Sequence, residues 1–411
     1  MTHPLAQRFI RPRYSPFPSL VRLAALALLV QLSLAGISAA QQAPAPRVVD
    51  IAAADGTVLK GTFFAAAKPG PGVLLLHQCN RERKVWDSLA QSLAASGVNV
   101  LTIDFRGYGD SGGTPMKYLT DTARQKEIAE KWPGDVDAAF DYLIEQPSVN
   151  PKQIGAGGAS CGVNQAVQLA RRHPEVKSLV LLSETTDVAG RQFLRSSPQI
   201  PLFLAVADDD PDPGVVELVE WLFTLSKNPT SHLEHYDGGG HGVEMFVAHP
   251  ELPGMIVAWW DSELQGKAPP SQEIGEAPLS RESHLLDEID QPGGAAKVAA
   301  MYAEAKSRDP KAVWLSEEVV NRIGYEHLQG GDAKNAVEIM KLNVLANPDS
   351  PNAYDSLGDA YLADGQKDLA RANAKKALEL LKSDTKDPED VRKEIQQSAE
   401  AKLKTPGDSP K

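Results

Sequence analysis

The chain has 411 residues, 42% of them hydrophobic, which is enough for two or three domains with sizeable cores and excludes global disorder. Its formal net charge of −12 argues against nucleic acid or an anionic membrane surface as a partner.

Residues 1–40 have the pattern of a signal peptide. Four arginines precede an apolar run over residues 23–30, and small residues stand at Ser38 and Ala40, where a signal peptidase reads the chain. An uncleaved membrane anchor is the alternative interpretation. We expect cleavage near Ala40 and export to the periplasm or the medium, where disulfide bonds persist.

Residues 41–266 alternate predicted strands with predicted helices. A hairpin is expected around Asp55 and Gly56, and six further strands follow, each an apolar run between turn residues. Amphipathic helices separate most of these strands, as in the stretch 85–97. Such alternation predicts an α/β fold, with a mostly parallel sheet covered by helices on both faces.

Residues 267–294 are rich in Pro, Ser and Glu and lack periodicity, so we interpret them as a linker. Residues 295–405 then form an all-α domain in which small residues recur 34 positions later: Gly324, Gly331 and Ala336 return as Gly358, Gly365 and Ala370. This pattern resembles the tetratricopeptide repeat, although the first unit departs from it at His327 and Asn343. The resemblance implies a protein partner, and an ordinary helical bundle is the alternative.

The stretch "GGASCG", residues 157–162, sets a serine beside a cysteine between glycines. A nucleophile on a sharp strand-to-helix turn needs tiny residues two positions before and after it. Centring the turn on Ser160 puts Gly158 and Gly162 there, whereas centring it on Cys161 would put the β-branched Val163 at one of them. Ser160 is therefore the predicted nucleophile.

A serine nucleophile needs a base and an orienting acid, which in this topology follow it in the order acid, then histidine. "ADDDP" ends a later strand, and the Pro after it favours Asp210 as the acid. "GGGHG" then supplies His241 as the base on a glycine-rich loop. Glu184, at the end of another strand, is the alternative acid.

These motifs together resemble the α/β-hydrolase superfamily, nearest its small esterase and dienelactone-hydrolase-like branch. The resemblance covers residues 72–264 and includes "LLLHQC", "DFRGYGDSGG", "GASCG", "ADDDP" and "GGGHG". It implies an oxyanion hole formed by the backbone amide of Cys161 and a second amide from the "LLLHQC" loop. Cys79 is expected to supply that second amide, but Gln78, which replaces the usual glycine, leaves the choice between the two open.

Cys79 and Cys161 both map to oxyanion-hole positions, and two amides aimed at one oxygen lie side by side. We therefore predict a disulfide bond between these two cysteines in the oxidising compartment. Two buried thiols are the alternative. His77 is expected to be a buried hydrogen-bonding residue, and Arg81 and Arg83 a solvated rim or, alternatively, a site for an anionic substrate.

The sequence thus predicts an exported serine hydrolase that cleaves carboxylic esters or related acyl bonds through Ser160, His241 and Asp210. A peptidase or amidase with the same triad is one alternative, and a binding adaptor on a hydrolase scaffold is the other. No cofactor, metal or nucleic-acid partner is expected. Since residues 267–294 are interpreted as a linker, a chain ending near Lys267 is expected to fold and act alone.

Overall fold

The computed structural model describes residues 43–268, 279–309, 311 and 315–405. The predicted signal peptide and its cleavage site lie outside the described residues, as does part of the predicted linker. No helix in the described ranges has both the length and the apolar character needed to cross a membrane.

An eight-stranded sheet forms the centre of the first part of the chain, in the order β1-β2-β4-β3-β5-β6-β7-β8. β1 and β2 are the predicted hairpin and run antiparallel, β2 also pairs antiparallel with β4, and the remaining pairs are parallel. The strands are β1 Arg47–Ala52, β2 Val58–Phe64, β3 Gly70–Leu76, β4 Asn99–Ile103, β5 Val149–Ala159, β6 Val176–Leu182, β7 Leu202–Ala207 and β8 His232–Tyr236.

Helices cover both faces of this sheet, as expected for strands that are apolar on both sides. They are α1 Asp87–Ser96, α2 Thr122–Ala129, α3 Trp132–Ile144, α4 Cys161–Arg172, α5 Val188–Ser196, α6 Val215–Leu225, α7 Met245–Ala248 and α8 Leu252–Gln265. α1 and α8 pack on one face around Trp86 and Trp260, and α3, α4 and α6 pack on the other. The fold class predicted from the sequence is confirmed.

A helical region follows the sheet. Its helices are α9 Arg281–Asp290, α10 Gly294–Arg308, α11 Glu317–Gln329, α12 Ala333–Ala346, α13 Pro351–Ala363, α14 Lys367–Leu381 and α15 Glu389–Lys404. α11 and α13 begin 34 residues apart, and so do α12 and α14. A side chain at Gly324 would lie 2.9 Å from Met340, so this glycine lets α11 and α12 approach closely.

The predicted linker differs from the structure, because residues 281–290 form helix α9. Its apolar positions, Leu285, Leu286 and Ile289, lie on one helical face and are buried in the same core as α6 of the sheet region. The Pro- and Glu-rich composition around α9 obscured this short stripe. A chain ending near Lys267 would expose the face of α6 that α9 covers, so the structure argues against its independent folding.

Candidate active site

Ser160 occupies a sharp turn between β5 and α4, with a positive φ of 51° that a non-glycine residue rarely adopts. The glycines beside it make the turn sterically feasible. A Cβ at Gly158 would lie 2.1 Å from the carbonyl oxygen of Gly162, and a Cβ at Gly162 would lie 2.4 Å from that of Leu76. Cys161 is the first residue of α4, so the structure places Ser160 alone at the apex.

His241 and Asp210 meet at the carboxyl edge of the sheet. His241 follows β8, Asp210 follows β7, and Nδ1 of the imidazole lies 2.9 Å from both carboxylate oxygens. The Asp210 side chain is fully buried and His241 is 7% exposed. Because a carboxylate can only accept here, Nδ1 carries the proton in the neutral ring and Nε2 keeps its lone pair.

The pKa of His241 is raised above its ordinary value. Burial by itself would lower that pKa, because it disfavours the charged ring. The hydrogen bond from the ring to Asp210 and the negative charge of this carboxylate outweigh burial. The imidazole is therefore a stronger base than a free histidine.

The loop that carries His241 lies directly beside the Ser160 turn. A Cβ at Gly242, the next residue after His241, would lie 3.3 Å from Cβ of Ala159, the residue before Ser160. The backbone N–H of Gly242 donates to Oγ of Ser183 over 2.9 Å. The structure thus brings the predicted nucleophile and base to neighbouring backbone positions.

Glu184, the alternative acid, has other partners. Its Oε1 accepts from the guanidinium of Arg322 in α11 and from the backbone N–H of Thr185 over 2.7 Å. Burial raises the pKa of this carboxyl, and Arg322 acts in the opposite direction. Asp210, not Glu184, is the carboxylate hydrogen-bonded to His241.

A disulfide bond joins Cys79 and Cys161, whose Cα atoms are 5.8 Å apart. The bond fixes the loop after β3 against the start of α4. The N–H of Cys161 has no partner within its own helix, because it occupies the first helical position. Two of the three residues predicted to form the oxyanion hole, Cys79 and Cys161, are therefore linked covalently at the residue that follows Ser160.

The side chain of Gln78 has a function that sequence reasoning missed. Its Oε1 accepts from the backbone N–H of Val243 over 3.0 Å, and its Nε2 donates to Asn80 over 2.9 Å. Gln78 thus connects the loop after β3 to the loop that carries His241. The sequence signal for this contact is a glutamine at a position where the resemblance leads one to expect glycine, since only glutamine has a side chain that can bond a neighbouring loop.

The remaining polar residues near this edge have structural partners. His77 is fully buried, with Nε2 accepting from the backbone N–H of Phe105, as expected for a hydrogen-bonding residue. Arg83 was expected on a solvated rim, but it is 2% exposed and pairs with Asp104. The guanidinium group of Arg83 can be buried because Asp104, directly after β4, supplies a carboxylate that pairs with it. Arg81 stays half-exposed and pairs with Glu244.

One group of possible metal-binding atoms occurs among the described residues. Ligand atoms of Asp210, Asp212 and His241 lie within 4.8 Å of one another. We assign no metal to them, because Asp210 and His241 already bond each other and Asp212 is exposed.

Comparisons with known proteins agree with this fold. Residues 71–211 match the profile of the alpha/beta hydrolase fold family. Relatives include an uncharacterized protein of Mycobacterium tuberculosis, 34% identical over 37% of this chain and 50% of its own length. A thiohydrolase of Aspergillus aculeatus is 24% identical over 42% of this chain and 54% of its own length. The chain spans about half the length of these curated relatives.

Among solved structures, an esterase of Pyrococcus furiosus is similar at 22% identity and a TM-score of 0.42, covering 54% of this chain and 93% of the esterase. The fold is defined by the sheet order, the turn at Ser160 and the match of residues 71–211 to the family profile. The sheet-containing part of the chain therefore has the alpha/beta hydrolase fold.

Proposed function

We propose that the protein is an exported serine hydrolase that cleaves carboxylic esters or related acyl bonds. The observation that carries the proposal is the turn at Ser160, which stands beside a histidine whose Nδ1 is bound to a buried carboxylate. A serine on such a turn, next to a correctly oriented base, is the arrangement that acyl transfer requires. The thiohydrolase relative and an acyltransferase relative of Aspergillus calidoustus support acyl chemistry.

The mechanism follows from these positions. Ser160 Oγ attacks the acyl carbon while Nε2 of His241 takes its proton, and Asp210 stabilises the imidazolium that forms. The backbone N–H of Cys161 and one from the loop at Gln78 and Cys79 stabilise the oxyanion. His241 then returns the proton to the leaving group, and water hydrolyses the acyl-enzyme by the same steps.

The helical region supports a second element of the proposal, a protein-binding surface. Its two helix pairs begin at the 34-residue spacing of tetratricopeptide repeats. The proposed partner is another protein, and this proposal follows from the resemblance to the repeat alone. A binding adaptor without catalysis is the competing function. The hydrogen bond between His241 and the buried Asp210 disfavours it, because an adaptor has no need of this pair.

Labelling with a fluorophosphonate probe tests the proposal. The full chain should form one adduct, which peptide mapping places on Ser160, and the Ser160→Ala variant should form none. A panel of acyl esters, thioesters and peptides then distinguishes ester from thioester hydrolysis and from a peptidase. An unlabelled, folded wild-type chain that hydrolyses none of the panel would leave the adaptor as the function.

A further inference from the structure

Helix α11 of the helical region contacts two loops that flank the proposed triad. A Cβ at Gly214, in the loop that carries Asp210, would lie 2.1 Å from Cγ2 of Val319. The guanidinium of Arg322 donates to Glu184, which follows β6. Val319 and Arg322 are three positions apart and so lie on one face of α11.

The loop after β6 in turn supports the histidine. Ser183 precedes Glu184, has a positive φ of 52°, and accepts through Oγ from the backbone N–H of Gly242. A chain of contacts therefore runs from Arg322 through Glu184 and Ser183 to the residue after His241. Every link of this chain is a hydrogen bond, an ion pair or a peptide bond.

Charged groups from several elements face the imidazole or its neighbours. They are Asp210 and Asp212 after β7, Glu184 after β6, Glu244 in the turn after His241, Arg322 and Glu326 on α11, and Arg81, which pairs with Glu244. Of these carboxylates, Glu184 is the one outside α11 that pairs with a cation of the helical region.

We propose that Arg322 is a positioning residue for the triad: it holds and neutralises Glu184, so that Asp210 rather than Glu184 orients His241. The inference rests on the proposed function. It makes the helical region a part of the hydrolytic machinery, because a residue more than 50 positions beyond the sheet region sets the charge that faces the base.

The sign of the effect follows from Coulomb's law. An ionised Glu184 without its cation favours protonated His241 and raises the pKa of the imidazole, so a higher pH is needed to free the base. Removing Glu184 while keeping Arg322 leaves an extra positive charge and lowers that pKa. Each change should move the acid limb of activity by roughly 0.5 pH unit, the scale of one extra charge several ångströms away in a partly wet site.

The test compares full-chain variants by the pH profile of kcat/KM for p-nitrophenyl butyrate. Arg322→Gln should shift the acid limb to higher pH, Glu184→Gln should shift it to lower pH, and the double variant should return close to the wild-type profile. Arg322→Lys keeps the charge and should restore most of the wild-type profile. A merely structural contact would change rates or stability without producing opposite shifts that cancel.

Thermal unfolding of each variant shows whether it is folded at the assay temperature, and fluorophosphonate labelling counts its active sites. Superimposable profiles for folded wild-type, Arg322→Gln and Glu184→Gln chains would overturn the inference and leave the proposed function intact. A wild-type chain with neither labelling nor turnover would overturn the proposed function instead. Shifts of the same sign in both single variants would also overturn the inference.

Discussion

Two buried aspartates in this protein bind basic side chains in opposite ways. Asp210 and Asp290 both have fully buried side chains. Asp210 bonds Nδ1 of His241, and the other ring nitrogen, Nε2, lies 3.7 Å from the exposed carboxylate of Asp212. Asp290, on α9, bonds Arg191 on α5, and every nitrogen of that guanidinium has a partner in Asp290, Glu326 or a backbone carbonyl.

These two arrangements distinguish a side chain that can take part in a reaction from one that joins two regions of the structure. An imidazole with one free nitrogen can accept a proton, whereas a guanidinium saturated by carboxylates cannot react and serves to join elements. Arg191 lies 4.6 Å over the ring of Trp221 and links the sheet region to the helical region. Burial of a charge therefore does not by itself identify a catalytic group.

The largest expected effect comes from removing the nucleophile. Ser160→Ala should lower kcat by roughly 10⁶, because only residual stabilisation by the oxyanion hole and binding remains. Steady-state hydrolysis of p-nitrophenyl butyrate and probe labelling measure the loss. Ser92→Ala, on the exposed surface of α1, is the matched control and should behave as wild type. Labelling that persists in Ser160→Ala would assign the nucleophile elsewhere.

The next largest effect is expected from Asp210, the aspartate that bonds His241. Asp210→Asn should lower kcat by roughly 10⁴, because the amide no longer fixes the tautomer of His241. Asp208→Asn changes an exposed carboxylate of the same loop and should leave the rate near wild type. A near-normal rate in Asp210→Asn, together with a large loss in Glu184→Gln, would move the acid to Glu184.

The contact between His241 and Asp210 could be predicted from the sequence, and the contact between Arg191 and Asp290 could not. Ser160 follows from local sterics, since glycines must flank the turn, and His241 and Asp210 follow from chain order after known strands. Arg191 and Asp290 are 99 residues apart with no motif between them. His327, which departs from the repeat pattern, has its Nε2 3.1 Å from a carboxylate oxygen of Asp290. Its role depends on tertiary contacts that no local pattern encodes.

Breaking the joining pair should affect stability. Arg191→Met removes one partner of a buried network and should lower the free energy of unfolding by about 3 to 5 kcal/mol. Urea unfolding followed by circular dichroism measures this change. Arg308→Gln, in an exposed pair with Glu304 on α10, is the control and should cost about 0.5 kcal/mol or less. Equal costs for the two variants would mean that the buried network contributes no more than a surface pair.

The disulfide is the next test of how the catalytic edge is held. The bond closes a loop of 82 residues, so replacing both Cys79 and Cys161 by Ala should lower stability by about 2 to 4 kcal/mol. Turnover should fall as well, because the oxyanion loop is no longer fixed beside Ser160. Reductant should reproduce both effects in wild type and change neither in the double variant. Two alkylated thiols in denatured, unreduced protein would show that the bond is absent.

The smallest expected effect is a shift in the pH dependence of kcat/KM. This shift measures how strongly Asp210 raises the pKa of His241 against the opposing effect of burial. The pKa of His241 is raised because Asp210 outweighs burial. Since the base acts only when neutral, kcat/KM should fall as the pH drops through that pKa, with a midpoint above about 6.5 in wild type. In Asp210→Asn, burial acts without the opposing charge, so the residual activity should show a midpoint below that of wild type. Rates between about pH 5 and 9 measure both midpoints. A wild-type midpoint below that of Asp210→Asn would mean that the buried carboxylate does not stabilise the imidazolium. The proposed role of Asp210 in the triad would then be wrong.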